Sequence, residues 1–128
     1  IPIHPMDSAT WIQTMNLGQR QRLFAKLLPR LVDFAYEQGY ELTLGDAYRD
    51  PRLHGAMGVK LGYGHPNSNH KNRLAIDLNL FKDGAFLQSS TDHQSLGEFW
   101  EKLDPLCRWG GRFNDGNHYS IESPDGMK

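Results

Sequence analysis

The chain holds 128 residues, with 14 Lys+Arg against 15 Asp+Glu and six His against one Cys. At about 100–200 residues per domain it is a single domain, 1–128, large enough to fold without staples. The even charge balance argues against nucleic acid as a partner, the lone Cys107 excludes a disulfide framework and the cysteine-rich zinc fingers, and the absence of any long apolar run excludes a transmembrane helix and stable membrane insertion.

Residues 1–16, with Pro2 and Pro5, read as an N-terminal arm covering the domain. From Leu17 the pattern turns helical: Leu23, Phe24, Leu27, Leu28, Leu31, Phe34 and Ala35 recur at spacings of three and four, one apolar stripe. Pro29 removes a backbone donor and predicts a kink or a split into two helices, and Gly39 supplies a stop. Tyr40–Tyr48 alternates Tyr40, Leu42 and Leu44 with Glu41, Thr43 and Gly45, a strand with one buried face. Residues 50–69 contain Pro51, four glycines and Pro66, and predict a helical turn or two followed by a loop too long for a simple connector, hence a functional loop. Arg73–Phe81 is the clearest strand, with Leu74, Ile76, Leu78 and Leu80 on one face and Ala75, Asp77 and Asn79 on the other. Lys82-Asp83-Gly84 turns it into the short strand Ala85–Leu87. Ser90 or Thr91 then caps a helix carrying Leu96, Phe99, Trp100 and Leu103 at i, i+3, i+4 and i+7, which Pro105 ends. Two last strands, Cys107–Trp109 and Asn117–Glu122, flank the turn-rich segment 110–116. This order predicts an α+β fold, mainly an antiparallel sheet with flanking helices.

Two places attract chemistry. Asp77 sits mid-strand behind a wholly aliphatic face, where a carboxylate costs several kcal/mol unless it meets a cation or a wet cleft. An ion pair with Arg73 or Lys71, or plain solvent exposure, accounts for it as well as function does. Asp115-Gly116-Asn117-His118 places an aspartate in a turn and a histidine at the start of a strand, which a turn satisfying its own backbone also explains. Together with His70, seven residues before Asp77, they form a His₂Asp set that suits a catalytic Zn²⁺. Such sites take three protein ligands and leave a fourth position for water. Asp115 is then a carboxylate left over to accept and return a proton. Among the rest, His65 is a rival ligand or a substrate-facing or merely exposed residue, His54 has no carboxylate partner at a diagnostic spacing, with lining the cleft only its lesser reading, and His4 and His93 lie on the surface. Cys107 is a small buried hydrophobe, Phe99 and Trp100 are core, and Trp109 is core or a cleft wall.

The stretch Ser68-Asn69-His70-Lys71-Asn72-Arg73-Leu74-Ala75-Ile76-Asp77-Leu78 resembles the Ser-x-His-(x)₆-Asp zinc motif of the LAS zinc peptidases. That family includes D-alanyl-D-alanine carboxypeptidases, vancomycin-resistance D,D-peptidases and phage L-alanyl-D-glutamate endolysins. Trp109-Gly110-Gly111-(x)₃-Asp115-Gly116-Asn117-His118-Tyr119 resembles its second motif, and Tyr48-Arg49 resembles the position whose arginine steadies the substrate carbonyl. The resemblance spans roughly residues 40–122. It implies a Hedgehog/D,D-peptidase-like fold, one zinc ion on His70, Asp77 and His118, Asp115 as general base and acid, Arg49 at the oxyanion, and Ser68 hydrogen-bonding a ligand or substrate. Asp50-Pro51-Arg52-Leu53-His54 departs from the family, which often has a Gln a few residues after the arginine.

The resemblance further implies a monomeric peptidoglycan hydrolase acting on stem peptides. Asp rather than Glu at position 115 favours the endolysin branch over a D,D-carboxypeptidase or dipeptidase; a non-catalytic zinc-containing binding domain is the reading from another class. No charged segment followed by an apolar core opens the chain, so no signal peptide is expected in it. A phage enzyme released from the host cytoplasm to the bacterial cell wall fits that expectation.

Overall fold

The computed structural model describes residues 15–45 and 72–124. The arm up to residue 14 and the expected functional loop 50–69 lie outside the described residues.

Helix α1 (Leu17–Glu37) begins with a reciprocal cap: Gln19 N donates to Asn16 Oδ1 at 2.8 Å while Asn16 N donates to Gln19 Oε1 at 2.9 Å. Pro29 does not split it. Both Pro29 and Ala25, whose carbonyl the missing N–H would have engaged, are exposed, so losing that bond buries no unsatisfied group in the core. On the other side, buried Phe24, Leu27, Leu31 and Ala35 hold both halves against one core. Tertiary packing here outweighs a local propensity cost of about 3 kcal/mol.

The sheet contains β1 (Glu41–Leu44), β2 (Ala75–Lys82), β3 (Ala85–Leu87), β4 (Cys107–Trp109) and β5 (His118–Ile121), all pairings antiparallel, in the order β1-β2-β5-β4 with β3 also on β2. The α+β expectation is met, with α2 (Gln94–Leu103) as the second helix. β1 is shorter than expected within the described residues. Its Leu44, expected on the buried face, is 70% exposed at the end of an edge strand. β2 starts two residues late because Arg73 sits at φ 59, a left-handed turn that extended backbone cannot include. Asp83 (φ 51) and Gly84 (φ 81) make the tight turn into β3 that an Asp-Gly pair favours.

β2 is central, and its ladder forks. β1 takes one edge over Leu78–Phe81; on the other, β5 pairs with Ala75–Asp77 and β3 with Leu80–Lys82. Asn117 O accepts from Leu78 N at 2.9 Å as the last rung before the two strands part. Ile76, Leu78 and Leu80 point inward onto α1 and α2, where Phe34 stacks on Phe99 and Phe24 meets Trp100 edge-on. The opposite face carries cross-strand pairs in a row: Asp77 with His118, Asn79 with Thr43, Phe81 with Phe86.

Neither Ser90 nor Thr91 caps α2. A 3-10 turn, Thr91–His93, precedes the helix, and the capping exchange lies one residue earlier: Asp92 N donates to Ser89 Oγ and Ser89 N to Asp92 Oδ2. Ser90 is thereby released for another partner.

Candidate active site

Asp77 and His118 face each other as register partners on β2 and β5. Asp77 Oδ1 lies 3.5 Å from His118 Nδ1 and is shut off from solvent. An ordinary N–H···O bond is about 2.9–3.0 Å. Two donors held about 2.0–2.1 Å from one tetrahedral ion are instead about 3.4 Å apart. An oxygen and an imidazole nitrogen at this spacing are therefore a fitting pair of ligands for Zn²⁺, both hard or borderline in character. Among the described residues no group of three or more His, Cys, Asp or Glu converges. The expected third ligand, His70, and with it Arg49, Ser68, His65, His54 and His4, lie outside the described residues.

Asp115 belongs to the turn that leads into β5. Its N–H donates to Gly110 O at 2.9 Å and its carbonyl accepts from His118 N at 3.1 Å, so its backbone is tied directly to the histidine three residues on. The turn passes through Asn114 in the left-handed region (φ 62), which Asn tolerates better than most residues. Upstream, Glu101 of α2 accepts from Trp109 N and pairs with Arg112, fixing the 3-10 turn Gly110–Phe113 to the helix. That hydrogen-bonded pairing also holds the Glu101 carboxyl below its usual range, against partial burial.

Gly116 is gripped at both ends. Its N–H donates to Ser90 Oγ at 3.0 Å, and its carbonyl accepts from Trp109 Nε1 at 2.7 Å. Any Cβ there would lie 2.5 Å from Ser90 Cα. Trp109 is thus buried scaffold for the turn, and Gly97 and Gly111 lie against its indole with no room for a methyl. His93, expected on the surface, is instead 1% exposed. Its Nδ1 is 2.8 Å from the Tyr119 hydroxyl. Burial lowers its pKa below the ordinary histidine value, with Asp92 and Asp115 opposing, and burial pushes the Tyr119 phenol up. Sequence reasoning missed Ser90, His93 and Glu101 as supports; the Ser89-x-x-Asp92 spacing was the available signal for the turn that places the first two.

Cys107 is buried, as expected. Burial raises its thiol to about 12, which removes it as a nucleophile.

At the fork of the sheet opens a cleft of about 520 Å³, between β2, β3, the 88–91 segment and the 114–117 turn, with Asp115 on its wall. The arrangement puts a carboxylate on the wall of a cleft, tied by its backbone to one member of a metal-fitting pair.

Residues 62–121 match a family model of the M15 peptidases, described as D-alanyl-D-alanine carboxypeptidase. The matched stretch contains Ser68, His70, Asp77, Asp115 and His118, and excludes Arg49. It supports a peptidase acting on peptidoglycan-type substrates, a family in which zinc dependence is general. No curated protein matches the chain. No helix among the described residues is long and apolar enough to cross a membrane.

Proposed function

We propose that the chain is a zinc-dependent peptidoglycan endopeptidase, an endolysin cutting the L-alanyl–D-glutamate bond of stem peptides. The observation that carries it is the 3.5 Å Asp77–His118 pair with Asp115 three residues before the histidine at the cleft. His70, Asp77 and His118 would hold the ion, which supplies Lewis acidity toward the scissile carbonyl and the attacking water. Asp115 takes the proton of that water and returns it to the leaving amine nitrogen. Arg49 faces the oxygen on which negative charge develops. Ser68 orients a ligand or the substrate, and His65 meets the substrate. The enzyme acts as a monomer on the bacterial cell wall, phage-encoded and released from the host cytoplasm.

The description of the matching family favours a second reading, a D,D-carboxypeptidase. Digestion of purified walls separates them. New glutamate amino groups are expected; D-alanine released without them would replace the first reading by the second. Zinc content after chelation and metal return, measured with lysis, tests the cofactor, and lysis that survives complete chelation would remove it.

A further inference from the structure

The outer face of β2 carries a row of side chains that starts at the metal-fitting pair. Asp77 opposite His118 is followed two residues on by Asn79 opposite Thr43, and two further on by Phe81 opposite Phe86. At about 3.3 Å per residue, Asn79 stands about 7 Å along the strand from Asp77, and Phe81 about 13 Å. Asn79 Nδ2 donates to Thr43 Oγ1 at 3.2 Å, and the rings of Phe81 and Phe86 stack with centroids 5.2 Å apart. The cleft that has Asp115 on its wall reaches this row, since Asn79 and Phe86 line it as well. Phe86 is a large apolar ring left 51% exposed there, with its plane fixed by the stack on Phe81. Gln88, Asn114 and Asn117 add carboxamides to the same lining.

An exposed aromatic face among carboxamides suits one part of a peptidoglycan strand better than the rest. The stem peptide presents methyl, carboxylate and ammonium groups and no broad apolar face. A pyranose ring does have such a face, formed by its axial C–H groups, and an aromatic ring meets it with the negative face of its π-system. The hydroxyls and N-acetyl group of the same sugar exchange hydrogen bonds with carboxamides, which both donate and accept. From this we propose that the cleft between Asp115 and Phe86 binds the N-acetylhexosamine sugars of the glycan strand, with Phe86 as their stacking surface. The inference rests on the endopeptidase reading above, in which one alanine and a lactyl group separate the first sugar from the scissile bond. Those two units span about 7 Å, which brings the first sugar level with Asn79 and leads the next toward Phe86. At about 520 Å³ the cleft is in the range of about 300–1,000 Å³ that encloses a drug-sized molecule, more than one alanine needs. The sugars meet it as neutral groups, so zinc and Arg49, whose charges act at the bond itself, neither supply nor oppose this contact.

The test uses the zinc-loaded full chain and two soluble substrates. One is N-acetylglucosaminyl-N-acetylmuramyl-L-alanyl-γ-D-glutamyl-L-lysyl-D-alanine, and the other its sugar-free twin, in which a D-lactoyl group caps the alanine. The sugar-bearing substrate is expected to show a kcat/KM about two- to tenfold higher, the worth of one stacked ring. That ratio should fall toward one in Phe86→Ala and persist in Phe86→Trp, which keeps an aromatic face. Both substrates are read on the same preparation of each variant, so any unfolded fraction cancels from the ratio. Equal cleavage of the two substrates, or a preference that Phe86→Ala leaves unchanged, overturns the glycan subsite and leaves the endopeptidase reading standing. Failure to cut either substrate between alanine and the glutamyl residue overturns both.

Discussion

Gly116→Ala is the sharpest probe of how the fold holds its candidate base. The new methyl would sit 2.5 Å from Ser90 Cα and 2.9 Å from Ser90 Oγ. Carbon pairs rest at about 3.5–4.0 Å, so the 114–117 turn and the 88–91 segment have to separate by about 1 Å. Neither side yields by a rotamer change, since the closest atom is backbone. Overpacking of this kind costs about 1–3 kcal/mol. The Ser90–Gly116 hydrogen bond, worth about 1 kcal/mol, is stretched or lost with it. At about 4 °C per kcal/mol the melting temperature should fall by several degrees. Activity should fall further than stability. Asp115 moves with the turn, and a 1 Å misplacement can cost about 10²-fold in rate. Unfolding in urea, zinc content and kcat/KM on cell walls would be measured together, at a temperature where the variant is fully folded. Wild-type activity and melting temperature together would refute the claim that Ser90 fixes the position of Asp115.

Three further outcomes follow from the same geometry. Asp77→Asn and His118→Ala should lower bound zinc, while Asp115→Ala should keep zinc and lose about 10²–10⁴-fold in activity, with metal stoichiometry and lysis as paired readouts. If Asp115→Ala lysed walls normally, its catalytic role would be gone. For pH, the folded His93 pKa is lowered while the unfolded chain takes up a proton near about 6.5. Stability should therefore fall as pH drops below that value, by up to about 1.4 kcal/mol per unit, until the folded imidazole itself protonates. Asp92 and Asp115 soften the effect, and His93→Asn, which keeps a partner near the Tyr119 hydroxyl, should flatten it in denaturant melts between about pH 5 and 7. Cys107 should resist thiol reagents in the native protein at neutral pH and react on unfolding; rapid native labelling would contradict its burial and raised pKa.

The Leu/Phe stripe of α1 and the aliphatic face of β2 were legible because a period of 3.6 or 2 survives wherever one side of an element is buried. Asp77 stood out for the same reason, as a carboxylate opposite an unbroken aliphatic row. Of the kink or split expected at Pro29, the split does not occur, because propensity is local whereas Phe24 and Leu31 on either side of it share one core. Ser90 and His93 were misread because their partners, Gly116 and Tyr119, lie 26 residues away in each case. A hydroxyl that caps its own helix and one that holds a distant turn have the same local sequence. Burial of a histidine likewise depends on which strand arrives beside it. His70 was expected from its spacing to Asp77 and Arg49 from the family resemblance, and both lie outside the described residues.

The fork in β2 explains why chemistry and support collect at one place. A strand that hands its edge from β5 to β3 leaves a gap at Leu78–Asn79, and something has to fill or border it. On one side the gap is bordered by the start of β5, which brings His118 opposite Asp77. The 88–93 segment borders it on the other, with Ser90 on the backbone of Gly116 and His93 on the hydroxyl of Tyr119. Both anchors bracket His118, at positions two before and one after it. Residues that keep the sheet closed around the fork thus also fix the spacing of the metal-fitting pair. Hence a substitution at Ser90 that touches no ligand should still change how tightly zinc is held. A Ser90→Ala variant with unaltered stability but weakened zinc affinity would separate this coupling from simple loss of fold. Unaltered zinc affinity with lowered stability would show that the fork and the ligand pair are energetically independent.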